Sequence, residues 1–321
     1  MESMWKSRKV VIVGAGAVGS TFAYALAQKG LADEICMMDV NRDYVSGQVL
    51  DLAHGLPFYP PVQIRVGKNE DYSDAQVIVI TAGAKQAPGE SRLDLIQKNA
   101  ALIGGIVDEI VAQKSQAILL ITSNPVDILT YVALERSGWP KGRVIGSGTV
   151  LDSSRFRYLL SQHCKVDVSN VHAYILGEHG DSEFAAWSMT HVAGVSIDDY
   201  CPVCAGCVNW ALERQQIVQE VKDSAYHIIN YKGATYYAIG MALVRIVGTI
   251  LQDQRSILTV STLLDGEYGI SDVCLSVPCL VGQEGVKQII DAKLLPEEEE
   301  LLKKSASTLQ AALKQLALAK A

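Results

Sequence analysis

The stretch KVVIVGAGAVGSTFAYALAQKGLADEICMMD, residues 9–39, decides the fold of this chain. It begins with a short β-branched run, Lys9–Val13, and the glycine motif GAGAVG follows directly at residues 14–19. A helical pattern continues through Ser20–Lys29, and a second apolar strand pattern covers Glu34–Met38. Strand, GxGxxG, helix and strand in this order predict a dinucleotide-binding βαβ unit.

Each glycine of the motif has its own physical role. Gly14 makes the tight turn, Gly16 lets the backbone reach a pyrophosphate, and Gly19 lets the helix pack on the strand. Asp39 lies about 20 residues beyond the last glycine, where a carboxylate accepts hydrogen bonds from a ribose diol. Because this carboxylate would repel a 2′-phosphate, we expect NAD rather than NADP as the cofactor. Val18 belongs to the same predicted cofactor-binding set.

Strand and helix patterns alternate through the rest of the first half. The predicted elements are strands at Val62–Val66, Gln76–Thr81, Ala117–Thr122 and Arg143–Ile145, and helices at Leu93–Gln113 and Val126–Ser137. Such alternation builds a doubly wound, mainly parallel sheet. Ligands of these sheets bind at the carboxyl ends of the strands, where Thr81–Ala84 and Thr122–Pro125 are expected to lie.

The pattern changes after about residue 150. The predicted elements are helices at Leu151–Cys164, Val208–Tyr231, Thr235–Gln252 and Pro296–Ala317, and strands at Ile257–Leu264 and Val273–Val281. We therefore predict an α/β chain with a doubly wound (Rossmann) parallel sheet in a dinucleotide-binding domain, 1–148. An α+β substrate domain with antiparallel strands follows at 149–321. Glu297–Glu300 are expected to form a solvated first turn of the last helix.

Composition excludes several classes of protein. Hydrophobic residues make up 49% of the 321 residues and charged residues 20%, which excludes a disordered chain. A formal net charge of -7 leaves no basic footprint for nucleic acid or an anionic membrane. The longest apolar runs are too short to span a bilayer, and Met1–Lys9 lacks the apolar core of a signal peptide. We expect a cytoplasmic protein.

Seven cysteines are spread over the chain, and three of them form the motif CPVCAGC at residues 201–207. CxxC spacing is found in zinc and iron–sulfur sites, but such sites usually have four ligands and no second pair follows nearby. We therefore expect no metal here, and we interpret Cys201, Cys204 and Cys207 as free thiols in a surface connection.

A group of polar residues carries charge where a cleft at the sheet end would lie. His179 follows an apolar strand and stands between Gly177 and Gly180, and a histidine changes its charge near physiological pH. Asp152 and Arg155 are one helical turn apart and therefore share a face. Further candidates are Arg92, in a Pro- and Gly-containing loop, and Asn124. Next to NAD these groups supply a proton, a guanidinium for a carboxylate and a charge that polarises a carbonyl.

The chain resembles the lactate/malate dehydrogenase family over nearly its whole length, most closely the bacterial L-lactate dehydrogenases. The motifs that carry the resemblance are GAGAVG at 14–19, TAGAKQAPGESRLDL at 81–95, TSNPVDILTY at 122–131, GSGTVLDSSRFR at 146–157, HAYILGEHGDSE at 172–183 and KGATYYAIG at 232–240.

The resemblance implies a role for each matching position. His179 would be the acid/base, oriented by Asp152, and Arg155 would bind the substrate carboxylate. Arg92 would ride on a closing loop and polarise the carbonyl. The remaining implied contacts are Asn124 with substrate and nicotinamide, Thr235 with the substrate, and Gly83, Ala84, Thr122 and Ser147 with the cofactor.

Gln86 decides between substrates in this interpretation. Malate dehydrogenases of the family carry arginine at that loop position, six residues before the loop arginine, to bind a second carboxylate. A neutral glutamine leaves that charge uncompensated, so we expect pyruvate and L-lactate rather than oxaloacetate. Thr235 resembles the residue that lactate dehydrogenases carry at this position. Lys85, the cation next to Gln86, instead favours a dicarboxylate substrate.

Regulation and assembly are also implied by the resemblance. Arg157 and His172 match the pair that binds fructose 1,6-bisphosphate across a subunit interface in allosteric bacterial members, and the family forms homotetramers. The alternatives are a phosphate site without kinetic effect, a malate dehydrogenase or broad 2-oxoacid reductase, and a non-catalytic NAD-binding or structural protein.

Overall fold

The computed structural model describes residues 7–84, 89, 91–201, 207 and 209–318, apart from the side chains of Arg92, Ala317 and Leu318. Within these residues the largest sheet has eight strands in the order β14-β13-β6-β5-β4-β1-β2-β3. Its strands are β1 (Lys9–Val13), β2 (Glu34–Met38), β3 (Gln63–Val66), β4 (Val77–Ile80), β5 (Ile118–Ile121), β6 (Val144–Gly146), β13 (Ser261–Asp265) and β14 (Ser271–Ser276).

The first six of these strands are parallel, which confirms the predicted doubly wound sheet. The helices between them are α1 (Ala17–Lys29), α2 (Arg42–His54), α3 (Arg92–Ala112) and α4 (Val126–Ser137). Every residue of β1, β4 and β5 is buried, as expected for central strands that are covered on both faces. The order of the strands reverses beside β1, so the carboxyl ends of β1 and β4 flank the crevice that binds ligands in such folds.

The second half of the chain contains further helices and several small sheets. Its helices are α5 (Val150–Cys164), α6 (Ile197–Tyr200), α7 (Trp210–Lys232), α8 (Tyr237–Leu251) and α9 (Pro296–Leu318). Its small sheets contain β7 (Val171–His172), β8 (Ile175–Leu176), β9 (Phe184–Ala185), β10 (His191–Val192), β11 (Val195–Ser196), β12 (Ser256–Leu258), β15 (Cys279–Gly282) and β16 (Gly285–Ile289). All pairs in these small sheets are antiparallel, as predicted for this half.

Two predicted strands are each divided in the structure. Ile257–Leu264 becomes β12 and β13, because the Thr259 carbonyl accepts a hydrogen bond from the Thr149 amide and leaves the ladder. Val273–Val281 becomes β14 and β15, separated by Pro278, which has no amide hydrogen for a ladder. As a result β13 extends the parallel sheet by pairing antiparallel with β6, and β14 pairs antiparallel with β13. Strands β12 and β15 pair with each other.

Helix α2 was not among the predicted elements. Its apolar pattern is weak, because Val45 and Leu52 are its buried residues. It begins at Asn41, whose side chain accepts a hydrogen bond from the Tyr44 amide at 3.1 Å. The cap, rather than an apolar stripe, marks this helix in the sequence.

The interpretation of Glu297–Glu300 as solvated is wrong for Glu298. This side chain is 3% exposed, and its carboxylate accepts hydrogen bonds from the amides of Ser188 and Leu295 at 3.0 Å. The other three glutamates of this turn are exposed, as expected. Glu298 therefore ties the start of α9 to the segment that follows β9.

The interpretation of Cys201 as a surface thiol is also wrong, because this residue is 0% exposed. Cys207 is half-buried, and Cys204 lies outside the described residues. Among the helices that the structure describes, none combines the length and the apolar character needed to cross a membrane.

Candidate active site

The glycine motif forms an open cradle at the end of β1. Gly14 has φ +105°, and a Cβ there would lie 2.6 Å from the Ala82 amide nitrogen. A Cβ on Gly19 would lie 2.0 Å from the Gly14 carbonyl oxygen, so helix and strand touch at this point. A Cβ on Gly16 would meet no atom within 4 Å. Gly14 and Gly19 are therefore required by the backbone, whereas Gly16 leaves space at the amino end of α1, where phosphate groups bind.

Asp39 lies beside this cradle. Its carboxylate accepts hydrogen bonds from the Ala15 amide at 2.8 Å and the Asn41 amide at 3.0 Å. These bonds fix an acidic group next to the glycine loop, where the ribose of a dinucleotide would lie. Val18 is half-buried in the first turn of α1. The residues fit NAD.

The other predicted cofactor contacts lie at the ends of neighbouring strands. Asn99, which the sequence did not single out, accepts a hydrogen bond from the Ala84 amide at 2.8 Å and donates one to the Asn124 carbonyl at 3.1 Å. It therefore joins the ends of β4 and β5. Thr122 Oγ1 is buried and has no hydrogen-bond partner within the described part of the chain, as expected of a group that faces a ligand. Gly83 is exposed and Ala84 is half-buried after β4, and Ser147 is buried after β6.

Helix α5 supplies a carboxylate and a guanidinium from one face. Asp152 lies in its first turn, and Arg155 is one turn later. Arg155 Nη1 donates a hydrogen bond to Asp152 Oδ1 at 2.6 Å, and the two side chains are 13% and 2% exposed. The predicted common face is thus present, and it points into a largely buried environment.

His179 reaches the same carboxylate from the other side. It follows β8 and Gly177, whose φ of +98° turns the chain. His179 Nδ1 lies 2.6 Å from Asp152 Oδ2, so Asp152 binds the imidazole with one oxygen and Arg155 with the other. With Nδ1 engaged, Nε2 is the ring nitrogen left for a substrate.

Three residues that the sequence did not single out hold the His179 loop in place. Asp127, in the first turn of α4, accepts a hydrogen bond from the His179 amide at 2.8 Å and another from the Ser261 hydroxyl at 2.6 Å. The Ser305 hydroxyl, on α9, accepts one from the Glu178 amide at 2.6 Å. These partners are 52 and 127 positions away from the residues they bind, so sequence proximity gave no signal.

Buried charges shift the proton affinities of this cluster. Burial alone would lower the pKa of His179, but the charge and hydrogen bond of Asp152, with Glu183 and Asp127, raise it to about 9. For Asp152 burial acts in the opposite direction, yet His179 and Arg155 lower its pKa, so it stays ionised. Burial and the charge of Asp152 raise the pKa of Glu183 to about 8, against the effect of His179. The site therefore favours an imidazolium beside a carboxylate.

The structure describes the remaining predicted substrate contacts only in part. Gln86 and Lys85 lie outside the described residues, and Arg92 is described by its backbone, which begins α3 after the Ser91 cap. Asn124 is exposed at the end of β5, and its peptide bond to the following proline is cis. Thr235 is half-buried, two positions before α8.

Family models cover almost all of the chain. Residues 8–146 match the lactate/malate dehydrogenase NAD binding domain, and residues 149–319 match the alpha/beta C-terminal domain of the same family. The chain belongs to the lactate/malate dehydrogenase family. It is an NAD-dependent oxidoreductase. The cofactor was predicted from the glycine motif and Asp39, and the activity from the resemblance.

Relatives from this family are similar to the chain over nearly its full length. The L-lactate dehydrogenase of Treponema denticola is 57% identical over 96% of this chain and 98% of its own, and that of Acetivibrio thermocellus is 52% identical over 96% and 97%. Among solved structures, a minor L-lactate dehydrogenase from Enterococcus mundtii in a ligand-bound form has a TM-score of 0.93, with 44% identity over 97% and 98% of the two chains. A lactate dehydrogenase from a Medee basin deep-sea metagenome library has a TM-score of 0.94, with 42% identity over 98% and 100%.

Arg157 and His172 line a cavity apart from His179 and Asp152, called the second cavity below. The cavity has a volume of about 650 Å³, and both residues line it together with Arg245. Arg157 Nε is buried without a hydrogen-bond partner among the described residues, and His172 is exposed. The sequence predicted Arg157 and His172 as a pair but did not predict Arg245, which comes from α8.

Proposed function

We propose that this chain is an L-lactate dehydrogenase, which interconverts pyruvate and L-lactate with NADH and NAD⁺. The observation that carries the proposal is the joint use of Asp152 by His179 and Arg155, with both contacts at 2.6 Å. This arrangement fixes an acid/base and a carboxylate-binding guanidinium relative to each other. The names of the relatives described above support the same substrate pair.

NADH, when bound, supplies the hydride. The chain supplies the proton and the orientation of the substrate. His179 holds a proton at Nε2, within reach of the ketone oxygen, and Asp152 keeps the imidazolium in the matching orientation through Nδ1. Arg155 binds the substrate carboxylate in a bidentate pair, which presents the ketone to the imidazole. In lactate oxidation the neutral imidazole accepts the hydroxyl proton by the reverse path.

Arg92 and Asn124 complete the proposed site. Arg92 polarises the ketone from the first residue of α3, and closure of the preceding loop excludes water, which strengthens each charge contact. Asn124 contacts substrate and nicotinamide from the end of β5, and Thr235 borders the substrate.

The substrate choice rests on Gln86. A neutral side chain at this position leaves the second carboxylate of oxaloacetate without a cation in a closed pocket. Leaving this charge uncompensated costs several kcal/mol, which corresponds to a loss of roughly two or more powers of ten in kcat/KM. We infer that pyruvate is the better substrate, with a malate dehydrogenase or broad 2-oxoacid reductase as the alternative.

The test compares NADH oxidation with pyruvate and with oxaloacetate on the same preparation. A pyruvate kcat/KM at least about a hundredfold higher supports the proposal. A preference for oxaloacetate would assign the alternative. Absence of turnover with either acid, while NADH still binds, would indicate a non-catalytic NAD-binding protein.

We also infer that fructose 1,6-bisphosphate binds in the cavity lined by Arg157 and His172 and activates the enzyme. The buried Arg157 Nε and the nearby Arg245 support an anion site of high positive charge. In a homotetramer, two copies of this cavity that face each other would match the two phosphates. Activation would then be a shift between two populations of the assembly.

The KM for pyruvate, measured over a titration of the bisphosphate, tests this inference. We expect the KM to fall, and we expect Arg157→Gln to abolish the effect without changing the basal kcat. An unchanged KM, with calorimetry still showing that the bisphosphate binds, would indicate a phosphate site without kinetic effect.

The homotetramer, the cytoplasmic location and the domain boundary at 148/149 stay predictions. Sedimentation tests the first, cell fractionation the second and limited proteolysis the third.

A further inference from the structure

His163, Cys201 and Cys207 come together away from the proposed active site. His163 lies in the last turn of α5, Cys201 directly follows α6, and Cys207 precedes α7. One nitrogen of the histidine and the two sulfur atoms all lie within 4.8 Å of one another. Cys201 is fully buried, and Cys207 is half-buried. Imidazole and thiolate are the ligands that Zn²⁺ prefers.

The distance between His163 and Cys201 matches a tetrahedral centre. His163 Nε2 lies 3.3 Å from Cys201 Sγ. Zinc bonds of about 2.0 Å to nitrogen and 2.3 Å to sulfur, at a tetrahedral angle, place these two atoms about 3.5 Å apart. Little movement is therefore needed for both atoms to bind one ion.

A carboxylate orients the imidazole from behind. Glu213 Oε2, in the first turn of α7, lies 2.8 Å from His163 Nδ1, and Nε2 is turned towards Cys201 Sγ. Metal-binding histidines usually donate their second ring N–H to a carboxylate or carbonyl in this way. The Trp210 ring stacks on the imidazole, with centroids 5.6 Å apart, and restricts its rotation further.

We propose that His163 Nε2, Cys201 Sγ and Cys207 Sγ bind a soft divalent cation, best matched by Zn²⁺. Two thiolates neutralise the ion, and three protein ligands leave the fourth position to a water molecule. Binding releases the thiol protons, so affinity rises with pH. His163 was not predicted as a ligand from the sequence because it lies 38 positions before Cys201.

The proposed ion would contribute to stability and not to the proposed reaction. It would tie Cys201, after α6, and Cys207, before α7, to the end of α5, whose first turn carries Asp152. Because an ion that binds the folded chain raises its stability, we expect a higher Tm in the presence of Zn²⁺. The proton transfer at His179 does not use the ion, so the inference stands independently of the proposed function.

Co²⁺ titration of the reduced, full-length protein under nitrogen tests the site. We expect one equivalent to bind, with thiolate-to-Co²⁺ charge-transfer absorption and the visible bands of a tetrahedral ion. Cys207→Ala should remove the charge-transfer intensity of one thiolate and weaken binding. Glu213→Gln keeps the ligands but loses the orienting charge, and we expect affinity to fall by about 10- to 100-fold. Cys36→Ala, which removes a buried thiol from β2, is the matched control and should bind like the unmodified chain.

Zn²⁺ and a chelator provide a second measurement on the same proteins. We expect Zn²⁺ to raise the Tm of the unmodified chain and of Cys36→Ala by at least about 2–4 °C, and a chelator to reverse the rise. Cys207→Ala should fold and turn over substrate but show no rise. Absence of the charge-transfer absorption in fully reduced protein, or an equal Co²⁺ affinity in Cys207→Ala, would overturn the proposal.

Discussion

The Asp127 carboxylate accepts a hydrogen bond from the His179 backbone amide at 2.8 Å and so joins the start of α4 to the loop that carries the imidazole. Asp127 is 2% exposed, and its second oxygen accepts a hydrogen bond from the Ser261 hydroxyl. The backbone position of His179 is therefore fixed from the dinucleotide-binding half, while its ring is fixed by Asp152 on α5. Neither contact alone determines where the ring nitrogen Nε2 lies.

Asp127→Ala should lower kcat with pyruvate and destabilise the protein. The change leaves the His179 amide and the Ser261 hydroxyl without their acceptor, which costs about 1–3 kcal/mol of unfolding free energy for each buried donor. Asp127→Asn should restore most of both, because its amide oxygen accepts from His179 and its NH₂ group donates to Ser261 Oγ. Steady-state kinetics and urea unfolding measure the two effects. Equal kcat values for the Ala variant and the unmodified chain would contradict a positioning role.

Asp127 also predicts a pH dependence of the Asn variant. Burial raises the pKa of Asp127 to about 6, against its hydrogen bonds from Ser261 and His179. A raised pKa in the folded state means that the associated stability is present below the ordinary value of 3.8 and is lost as pH rises through about 6. The unfolding free energy of Asp127→Asn should therefore lack this loss, which lies between the ordinary pKa of 3.8 and the raised value of about 6.

Pyruvate reduction should follow the protonation of His179. Its pKa is raised to about 9, so kcat/KM for pyruvate should be constant below that pH and fall about tenfold per pH unit above it. Lactate oxidation, which needs the neutral ring, should rise over the same range. Asp152→Asn removes the charge that outweighs burial, so the alkaline limb of pyruvate reduction should move to lower pH. A limb that stays near pH 9 in this variant would assign it to another group.

The same shift has a consequence for folding. The pKa of His179 is raised above its ordinary value of 6.5, so the stability it contributes is fully present below that pH and lost as pH rises through about 9. Asp152→Asn should therefore flatten the unfolding free energy between these two values. Urea unfolding at several pH values measures it.

Arg155→Lys should weaken pyruvate binding far more than NADH binding. Lysine keeps the charge but cannot form the bidentate pair, and loss of one charged hydrogen bond corresponds to roughly 10- to 100-fold in kcat/KM. Arg157→Lys is the matched control, because it lies two positions along the same helix and lines the second cavity. Without bisphosphate the control should keep its kcat/KM. Equal losses in both variants would point to a general effect on α5 rather than to substrate binding.

Local patterns predicted the parallel sheet and the chemistry at its edge. Lys9–Val13 and Val126–Ser137 were placed with their observed bounds, because an apolar run and clear end signals agree there. Asp152 and Arg155 were predicted to share a face because helical geometry alone determines it. The strand ending at Asp39 was likewise recognisable from its spacing to the glycines.

Contacts between distant segments were not predictable from local patterns. Ser305 supports the His179 loop from α9, and His163 meets Cys201 from α5, but neither residue carries a signal in its own neighbourhood. Glu298 looked like its three exposed neighbours, and only its hydrogen bonds to the Ser188 segment explain its burial. Such pairings depend on how helices and strands pack, which periodicity does not specify.

Gly16→Ala and Gly19→Ala should separate cofactor binding from folding. At Gly16 φ is -66°, and an added Cβ meets no atom within 4 Å, so we expect the Ala variant to fold with an unchanged Tm. The methyl group would enter the space that the pyrophosphate needs, so NADH affinity should fall by about tenfold or more, since a clash that costs 1.4 kcal/mol is tenfold. At Gly19 the Cβ would lie 2.0 Å from the Gly14 carbonyl oxygen, so the Tm of this variant should be lower than that of the unmodified chain even without ligand. Fluorescence titration with NADH and thermal unfolding of the ligand-free proteins measure both. A Gly16→Ala variant with normal NADH affinity would show that the pyrophosphate does not pass over this position.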